Sequence, residues 1–146
     1  MTTALKGPDK GGYSPRPATV EVVLTEDCVA TAVTGGKLVS VGLPPDGTVR
    51  HMRPTELILA GLGGCILTNV IVFCREQSLN WHGVRLVLSN TDQRSPPRIA
   101  SIQVALHLKP LSAAAAAGLI QHVQANSRMY NTLSTQVPVT LTVVER

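Results

Sequence analysis

The stretch PTELILAGLGGCILTNVIVFCREQSL, residues 54–79, is the longest apolar run of the chain and decides its fold. Pro54 suits the first turn of a helix, where its missing N–H needs no partner. Glu56 follows in the same turn, where a negative charge is favourable to the helix dipole. The pattern therefore predicts one long helix from Pro54 to about Gln77.

Three glycines interrupt this helix just before a cysteine. Gly61, Gly63 and Gly64 precede Cys65, and each glycine costs a helix interior about 1 kcal/mol relative to alanine. Two uses could compensate that cost. The glycines either admit another backbone at close range or leave room around the Cys65 thiol.

The length and composition of the chain favour a single globular domain. The 146 residues suffice for one core, and we expect a flexible arm at residues 1–17 and one domain over residues 18–146. Only 3 % of the residues are aromatic and the positive charges are scattered, which argues against nucleic-acid binding. The N-terminal stretch lacks the apolar core of a signal peptide, and charged residues interrupt residues 54–79. We therefore expect a cytoplasmic protein without a membrane span.

Alternating polar and apolar residues predict the remaining elements. Strands are expected at residues 19–24, 28–33, 37–41, 84–89, 99–108 and 137–144. Ser112 is a candidate N-cap for a second helix that reaches about Asn126. Residues 90–98 and 126–134 read as irregular. The order β-β-β-α-β-β-α-β indicates an α+β fold with antiparallel sheets.

Neither the cysteines nor the histidines form a metal-binding pattern. Cys28, Cys65 and Cys74 are an odd number without a CxxC spacing, which argues against a disulfide framework and a zinc site. The four histidines are spread along the chain and look like surface or strand-end residues. We expect no metal and no cofactor.

Cys65 has two interpretations from its position. A free cysteine in an apolar helix is usually a small core residue, but a reachable thiol near a cation or dipole is a nucleophile. Asn69 lies one turn on, on the same helix face as Cys65. Glu56 and Cys74 are each nine residues away and fall on the opposite face, so a Cys65–Cys74 disulfide within one helix is excluded.

Two motifs carry a family resemblance. The segment Pro54-x-Glu56-Leu57-x-x-Ala60-x-x-Gly63-Gly64-Cys65 resembles the signature of the OsmC/Ohr family of thiol peroxidases. Downstream, residues 127–133 (SRMYNTL) are similar to the family's second motif, which usually reads Cys-Pro-x-x-Asn-Thr-Leu. The resemblance covers about residues 19–145.

The resemblance implies a fold, an assembly and a reaction. It implies an intertwined homodimer in which two long central helices pack together against sheets, which would account for the glycines. It also implies reduction of small organic hydroperoxides in the oxidative stress response. The helix cysteine, here Cys65, attacks the peroxide and becomes a sulfenic acid, a second cysteine forms a disulfide with it, and a thiol reductant reopens that disulfide.

The chain departs from the family pattern at the second cysteine and at the activating cation. Ser127 stands where the second cysteine would be, and serine cannot form a disulfide. Arg128 follows it in place of proline and could supply a positive charge to Cys65.

Other candidate groups lie near the first motif and near the glycine pair Gly35-Gly36. The family's activating arginine follows a Thr-Gly-Gly-like turn, where this chain has Lys37; Arg50 and Arg53 are other cations. Glu56 could orient the cation or only cap the helix.

Two functions remain open from the sequence. The first is a one-cysteine hydroperoxide reductase in which an external thiol attacks the Cys65 sulfenic acid. The second is a non-catalytic dimer of the same fold that binds a small apolar ligand.

Overall fold

The computed structural model of the protein describes residues 17–43 and 50–145. These residues form six strands and three helices: β1 Glu21–Glu26, β2 Val29–Thr34, β3 Lys37–Gly42, α1 Pro54–Glu76, β4 Arg85–Arg94, β5 Pro97–Leu108, α2 Ala113–Asn126, α3 Arg128–Ser134 and β6 Val139–Glu145. The predicted α+β class is confirmed. Apart from Pro17, the predicted arm lies outside the described residues.

The chain divides into two units, one ending at Leu57 and one beginning at Ile58. The first holds an antiparallel sheet in the order β1-β2-β3. Gly35 and Gly36 connect β2 to β3 with φ angles of 51° and 73°. Such a two-residue turn needs positive φ at both positions, so this glycine pair has a structural use.

One face of this sheet is apolar along its whole width. The register aligns Val22 with Ala32 and Leu24 with Ala30, and Ala32 and Ala30 in turn pair with Val39 and Val41. Ala30 and Val41 are buried, whereas Val22 and Leu24 are 62 % and 67 % exposed. Among the residues that the structure describes, the β1 side of this face is therefore exposed.

The second unit contains the sheet β4-β5-β6. Strands β4 and β5 form an antiparallel hairpin in which Arg94 pairs with Pro97, so the predicted loop at residues 90–98 is wrong. Polar side chains of the two strands form hydrogen bonds with one another in this part of the hairpin. The Thr91 and Ser101 hydroxyls lie 2.7 Å apart, and Arg98 Nε donates to Gln93 Oε1 at 2.9 Å. Cross-strand polar pairs stabilise a strand without apolar alternation.

The β5–β6 pair is parallel, with Val104 opposite Leu141. The expectation of purely antiparallel sheets is therefore wrong for this pair. Parallel neighbours need a crossover connection of a dozen or more residues. Helices α2 and α3 provide that crossover between Leu108 and Val139.

Helix α3 is the element that the sequence interpretation missed, because residues 126–134 read as irregular. Ser127 precedes it as N-cap, and its Oγ accepts a hydrogen bond from Tyr130 N. A serine cap can start a short helix in a polar sequence because it satisfies a backbone N–H that would otherwise lack a partner. Ser112 caps α2 in the same way, as predicted, by accepting from Ala115 N at 3.1 Å.

The core of the second unit lies between its sheet and the helices. Phe73 of α1 packs against α2, where a Cβ added at Gly118 would lie 3.4 Å from the Phe73 ring. The buried residues include Leu62, Ile66, Val70, Phe73, Cys74, Ile102, Val104, Leu106, Leu108, Leu119, Val123 and Leu141. This core is almost entirely aliphatic, as the low aromatic content requires.

Helix α1 is long and apolar enough to cross a membrane when judged by length and composition alone. The sequence expectation that charges interrupt this run fails on that criterion, since Glu56, Arg75 and Glu76 lie only at the helix ends. Core helices of soluble proteins meet the same criterion. Leu62 and Ile66 of α1 are buried in the aliphatic core.

Candidate active site

Cys65 lies in the middle of α1, on the border between its buried and exposed faces. Its neighbour Ile66 is fully buried and Gly64 is exposed, while Cys65 itself is half-buried. Asn69 lies one turn on, as predicted, and its Nδ2 donates to the Cys65 backbone carbonyl at 2.9 Å. Asn69 thus binds the helix backbone, and this bond does not engage the sulfur atom.

The three glycines around Cys65 have different surroundings. A Cβ added at Gly63 would lie 3.1 Å from Leu88 Cδ1, so this glycine lets β4 approach α1 closely. A Cβ added at Gly61 or Gly64 would meet no atom of the described residues within 4 Å beyond its own helix neighbours. Contacts among the described residues therefore explain Gly63 but neither Gly61 nor Gly64.

Ser127 lies at the junction of α2 and α3 and is fully buried. It ends α2 by donating its backbone N–H to Val123 O at 2.8 Å. It begins α3 by accepting from Tyr130 N at 3.4 Å through Oγ. One small hydroxyl residue therefore serves two helix ends, which fixes its position closely.

The Ser127 hydroxyl donates a hydrogen bond to the Cys65 sulfur. The Oγ–Sγ distance is 3.3 Å, between residues 62 positions apart in the chain. The structure thus brings together the helix cysteine of the first motif and the serine of the second motif. A hydroxyl beside a thiol can donate to a thiolate, but it cannot form a disulfide.

Tyr130 stabilises the junction of α2 and α3. Its role is not predicted from the sequence. Its Oη donates to Val139 O at 3.3 Å and accepts from Gln124 Nε2 at 3.3 Å. These bonds connect α3 to β6 and to α2. The only local signal is the spacing of Ser127 and Tyr130, which matches a helix N-cap and its third helical residue.

Cys74 is fully buried in the aliphatic core, as expected. Removal from water raises the pKa of the Cys74 thiol, because burial disfavours the thiolate. A buried neutral thiol is a poor nucleophile. Among the cysteines of the second unit, Cys65 is therefore the better candidate for chemistry.

Glu56 and Arg53 contact each other at the start of α1. The Glu56 carboxylate accepts from Arg53 N at 2.8 Å and forms an ion pair with the Arg53 guanidinium at 3.0 Å. The Arg53 backbone N–H, followed by its guanidinium, lowers the pKa of the Glu56 carboxyl. This is half of a capping box, so the capping interpretation of Glu56 has a direct structural basis.

The other predicted cations occupy exposed positions. Lys37 is the first residue of β3, next to the Gly35-Gly36 turn, and Arg50 precedes α1. Arg128 is the first residue of α3, directly after Ser127. Arg128 is thus the one predicted cation that adjoins the Cys65–Ser127 pair in sequence.

His122 differs from the expected surface histidine. It lies on α2 with its ring 5.5 Å from the Phe73 ring. Its Nε2 is buried without a hydrogen-bond partner among the described residues. Those residues contain no cluster of three or more His, Cys, Asp and Glu that could hold a metal ion.

Solved structures with the same fold come from several bacteria. An OsmC-like protein from Mycoplasma pneumoniae is 18 % identical with a TM-score of 0.81, covering 90 % of this chain and 99 % of the other. An organic hydroperoxide resistance protein OsmC from Legionella pneumophila is 15 % identical with a TM-score of 0.70, covering 90 % and 98 %. The organic hydroperoxide resistance protein OhrB of Bacillus subtilis is 14 % identical with a TM-score of 0.65, covering 86 % and 98 %.

At these identities the likeness establishes the fold alone, and no curated protein sequence matches this chain. The family is shown by its sequence model, described as OsmC-like protein, which matches residues 45–142. That match spans well over half of the 146 residues and includes both Cys65 and Ser127. The chain therefore belongs to the family of OsmC-like proteins.

Proposed function

We propose that this protein reduces small organic hydroperoxides through the Cys65 thiol, without a second cysteine. The observation that carries the proposal is the half-buried Cys65 thiol with the Ser127 hydroxyl 3.3 Å away. Family membership adds support, as do the Legionella and Bacillus neighbours named organic hydroperoxide resistance proteins. A peroxide-related role in the oxidative stress response follows.

The first step is a displacement at oxygen. The Cys65 thiolate attacks one peroxide oxygen, the O–O bond breaks, and the departing alkoxide takes a proton to become an alcohol. The sulfur is oxidised to a sulfenic acid while the hydroperoxide is reduced. An accessible thiol is required, which half-buried Cys65 fulfils better than fully buried Cys74.

The second step needs a thiol from outside the chain, because Ser127 cannot resolve the sulfenic acid. An external thiol condenses with it, releases water and forms a mixed disulfide with Cys65. A second thiolate then attacks the external sulfur and regenerates the Cys65 thiol as the reductant leaves as its disulfide. Arg128, Lys37, Arg50 and Arg53 stay candidates for a cation that favours the thiolate.

We also propose that the protein acts as a homodimer in the cytoplasm, without a membrane span. Gly61 and Gly64 are exposed on α1, and in the described part of the chain no atom beyond their helix neighbours would lie within 4 Å of a Cβ added there. Glycines at exposed helix positions allow a second helix to approach closely. The uncovered apolar side of the β1-β2-β3 sheet likewise supports burial against a second copy.

A turnover assay tests the proposed function. Purified protein is mixed with cumene hydroperoxide or tert-butyl hydroperoxide and a dithiol reductant, and peroxide loss is measured. We expect wild type and the matched control Cys28→Ser to turn over, and Cys65→Ser to fall to the uncatalysed background. Absence of turnover in wild type, or retained turnover in Cys65→Ser, would contradict the proposal.

Peptide-resolved mass spectrometry of the oxidised protein adds a second readout. After peroxide treatment in the presence of a sulfenic-acid trapping reagent, the adduct is expected on Cys65. Buried Cys74 serves as the internal control and is expected to remain unmodified. An adduct confined to Cys28 would assign the chemistry to a different thiol.

A further inference from the structure

We infer that Ser127 is a positioning residue whose hydroxyl stabilises the Cys65 thiolate by donating a hydrogen bond to its sulfur. The catalytic consequence rests on the proposed function, whereas the effect on the thiolate does not. Ser127 thereby acts on the attacking sulfur without taking part in any covalent step. Its position in the second motif is used for a hydrogen bond instead of a disulfide.

The direction of the hydrogen bond follows from what the hydroxyl already accepts. A serine hydroxyl has one proton and two lone pairs. The Tyr130 N–H occupies a lone pair at 3.4 Å, so the proton remains available for Cys65 Sγ at 3.3 Å. A thiolate carries no proton and can only accept, so ionisation of Cys65 fixes the bond in this direction.

Burial increases the value of this bond. Ser127 is fully buried, so water does not compete for its proton. Hydrogen bonds to an ionised partner are roughly twice as strong as neutral ones, and a low local dielectric strengthens them further. The bond therefore favours the thiolate over the thiol.

The donor is also held in place before the thiolate forms. Ser127 N donates to Val123 O at 2.8 Å, and Ser127 O accepts from Asn131 N at 2.9 Å. Tyr130, whose N–H binds the hydroxyl, is itself held to β6 through its Oη bond to Val139 O. A donor fixed by its surroundings needs no reorganisation when charge develops on the sulfur.

The effect of charged side chains on the Cys65 thiolate has to be distinguished from the effect of the hydrogen bond. Arg128 adjoins Ser127 in α3, and Arg75 and Glu76 lie at the far end of α1. Helix α2 contributes His122, which packs on Phe73. An Arg128→Gln variant therefore accompanies the serine variants, so that loss of a charge is measured apart from loss of the donor.

The test measures the rate of iodoacetamide alkylation at Cys65 against pH, resolved by peptide mass spectrometry. For Ser127→Ala we expect the alkylation rate at neutral pH to fall about tenfold, because the thiolate loses a hydrogen-bond donor. The matched control is Thr68→Ala, since the Thr68 hydroxyl donates to Gly64 O and leaves the sulfur alone. That variant should keep the wild-type profile.

Ser127 also caps α3, so its substitution can disturb the fold. A second pair of variants therefore distinguishes the loss of the hydroxyl from a folding defect. Ser127→Thr and Ser127→Val have nearly the same shape and differ in the hydroxyl. We expect the threonine variant to keep an alkylation rate near that of wild type and the valine variant to slow as Ser127→Ala does, at equal circular dichroism. A wild-type profile in both hydroxyl-free variants overturns the inference, whatever Arg128→Gln does.

The alkylation assay uses no peroxide, so the inference and the proposed function fail separately. A shifted profile in a protein without peroxide turnover would overturn the function and leave the thiolate effect standing. An unshifted profile in an active peroxidase would overturn the inference alone.

Discussion

At the scale of single residues, the site depends on one contact between two small polar groups. Cys65 and Ser127 lie 62 positions apart, and their side chains meet at 3.3 Å. Ser127 stands where the family's second motif usually has a cysteine, so the residue at this position can donate a proton to Cys65 but cannot form a disulfide with it. Under the proposed function, the reductant must therefore come from outside the chain.

Restoring the second sulfur is expected to restore the disulfide. In Ser127→Cys the longer C–S bond would place the new sulfur closer to Cys65 Sγ than the present 3.3 Å, within reach of a covalent bond. One equivalent of hydroperoxide should then produce an intramolecular crosslink between Cys65 and the thiol introduced at position 127, seen as a loss of two hydrogens by mass spectrometry. A reducing agent should reverse it.

The control for this experiment is the double variant with Cys65→Ser, which should form no crosslink. A Ser127→Cys protein that stays reduced, or that pairs position 127 with Cys28, would show that the geometry of the pair is wrong.

At the scale of elements, α1 combines an ordinary start with an unusual middle. Its first turn is stabilised by Glu56, which accepts from the Arg53 backbone and guanidinium. Its middle contains three glycines, and among residues 17–43 and 50–145 Gly63 alone of the three admits a neighbouring side chain, that of Leu88. The helix therefore forms because its aliphatic face is buried, in spite of a poor local propensity.

Acid is expected to remove the contribution of Glu56. Since its pKa is lowered in the folded protein, its stabilising effect is complete above the ordinary glutamate pKa of about 4.3 and is lost as the pH falls through the folded value. Wild type should melt at a slightly higher temperature than Glu56→Gln at pH 7, and the difference should be smaller at an acid pH below the ordinary glutamate pKa.

Calorimetric melting curves at both pH values measure this difference. The matched control is Glu76→Gln at the opposite end of α1, where a carboxylate meets no N-terminal N–H groups. A difference between wild type and Glu56→Gln that persists unchanged at the acid pH would show that the capping bond is not its source.

At the scale of the whole molecule, apolar and glycine surfaces are exposed in the part of the chain that the structure describes. Ile58, Gly61 and Gly64 are exposed on α1, and Val22 and Leu24 are exposed on the first sheet. Exposed apolar patches of this kind usually mark an interface. The homodimer proposed above would cover them.

Gly64→Arg tests that interface. Within one chain the side chain at position 64 has space, because an added Cβ meets no described atom within 4 Å beyond its helix neighbours, so the fold should be kept. Across a close helix contact the arginine would clash, and sedimentation analysis should show a monomer in place of the wild-type dimer.

Ala117→Arg, at an exposed position of α2, is the matched control and should stay dimeric. A monomeric wild type would contradict the dimer itself, and a dimeric Gly64→Arg would place the interface on another surface.

The sequence by itself determined the elements whose signal is local. Periodicity located α1, α2 and most of the strands, Pro54 and Ser112 located two helix starts, and two short motifs indicated the family. Residues 90–98, where β4 meets β5, are not predicted as strand because this segment lacks apolar alternation. Helix α3 is not predicted by its sequence because residues 126–134 are polar and its start depends on the Ser127 cap.

Only the tertiary structure decided which distant groups meet. The parallel pairing of β5 and β6 depends on how the α2–α3 crossover packs, and no pattern within either strand records it. The direct bond between Ser127 and Cys65 and the burial of Cys74 arise in the same way. Local patterns specify backbone conformation, whereas contacts over long separations exist only once the core has closed, because it is the burial of aliphatic side chains that brings them together.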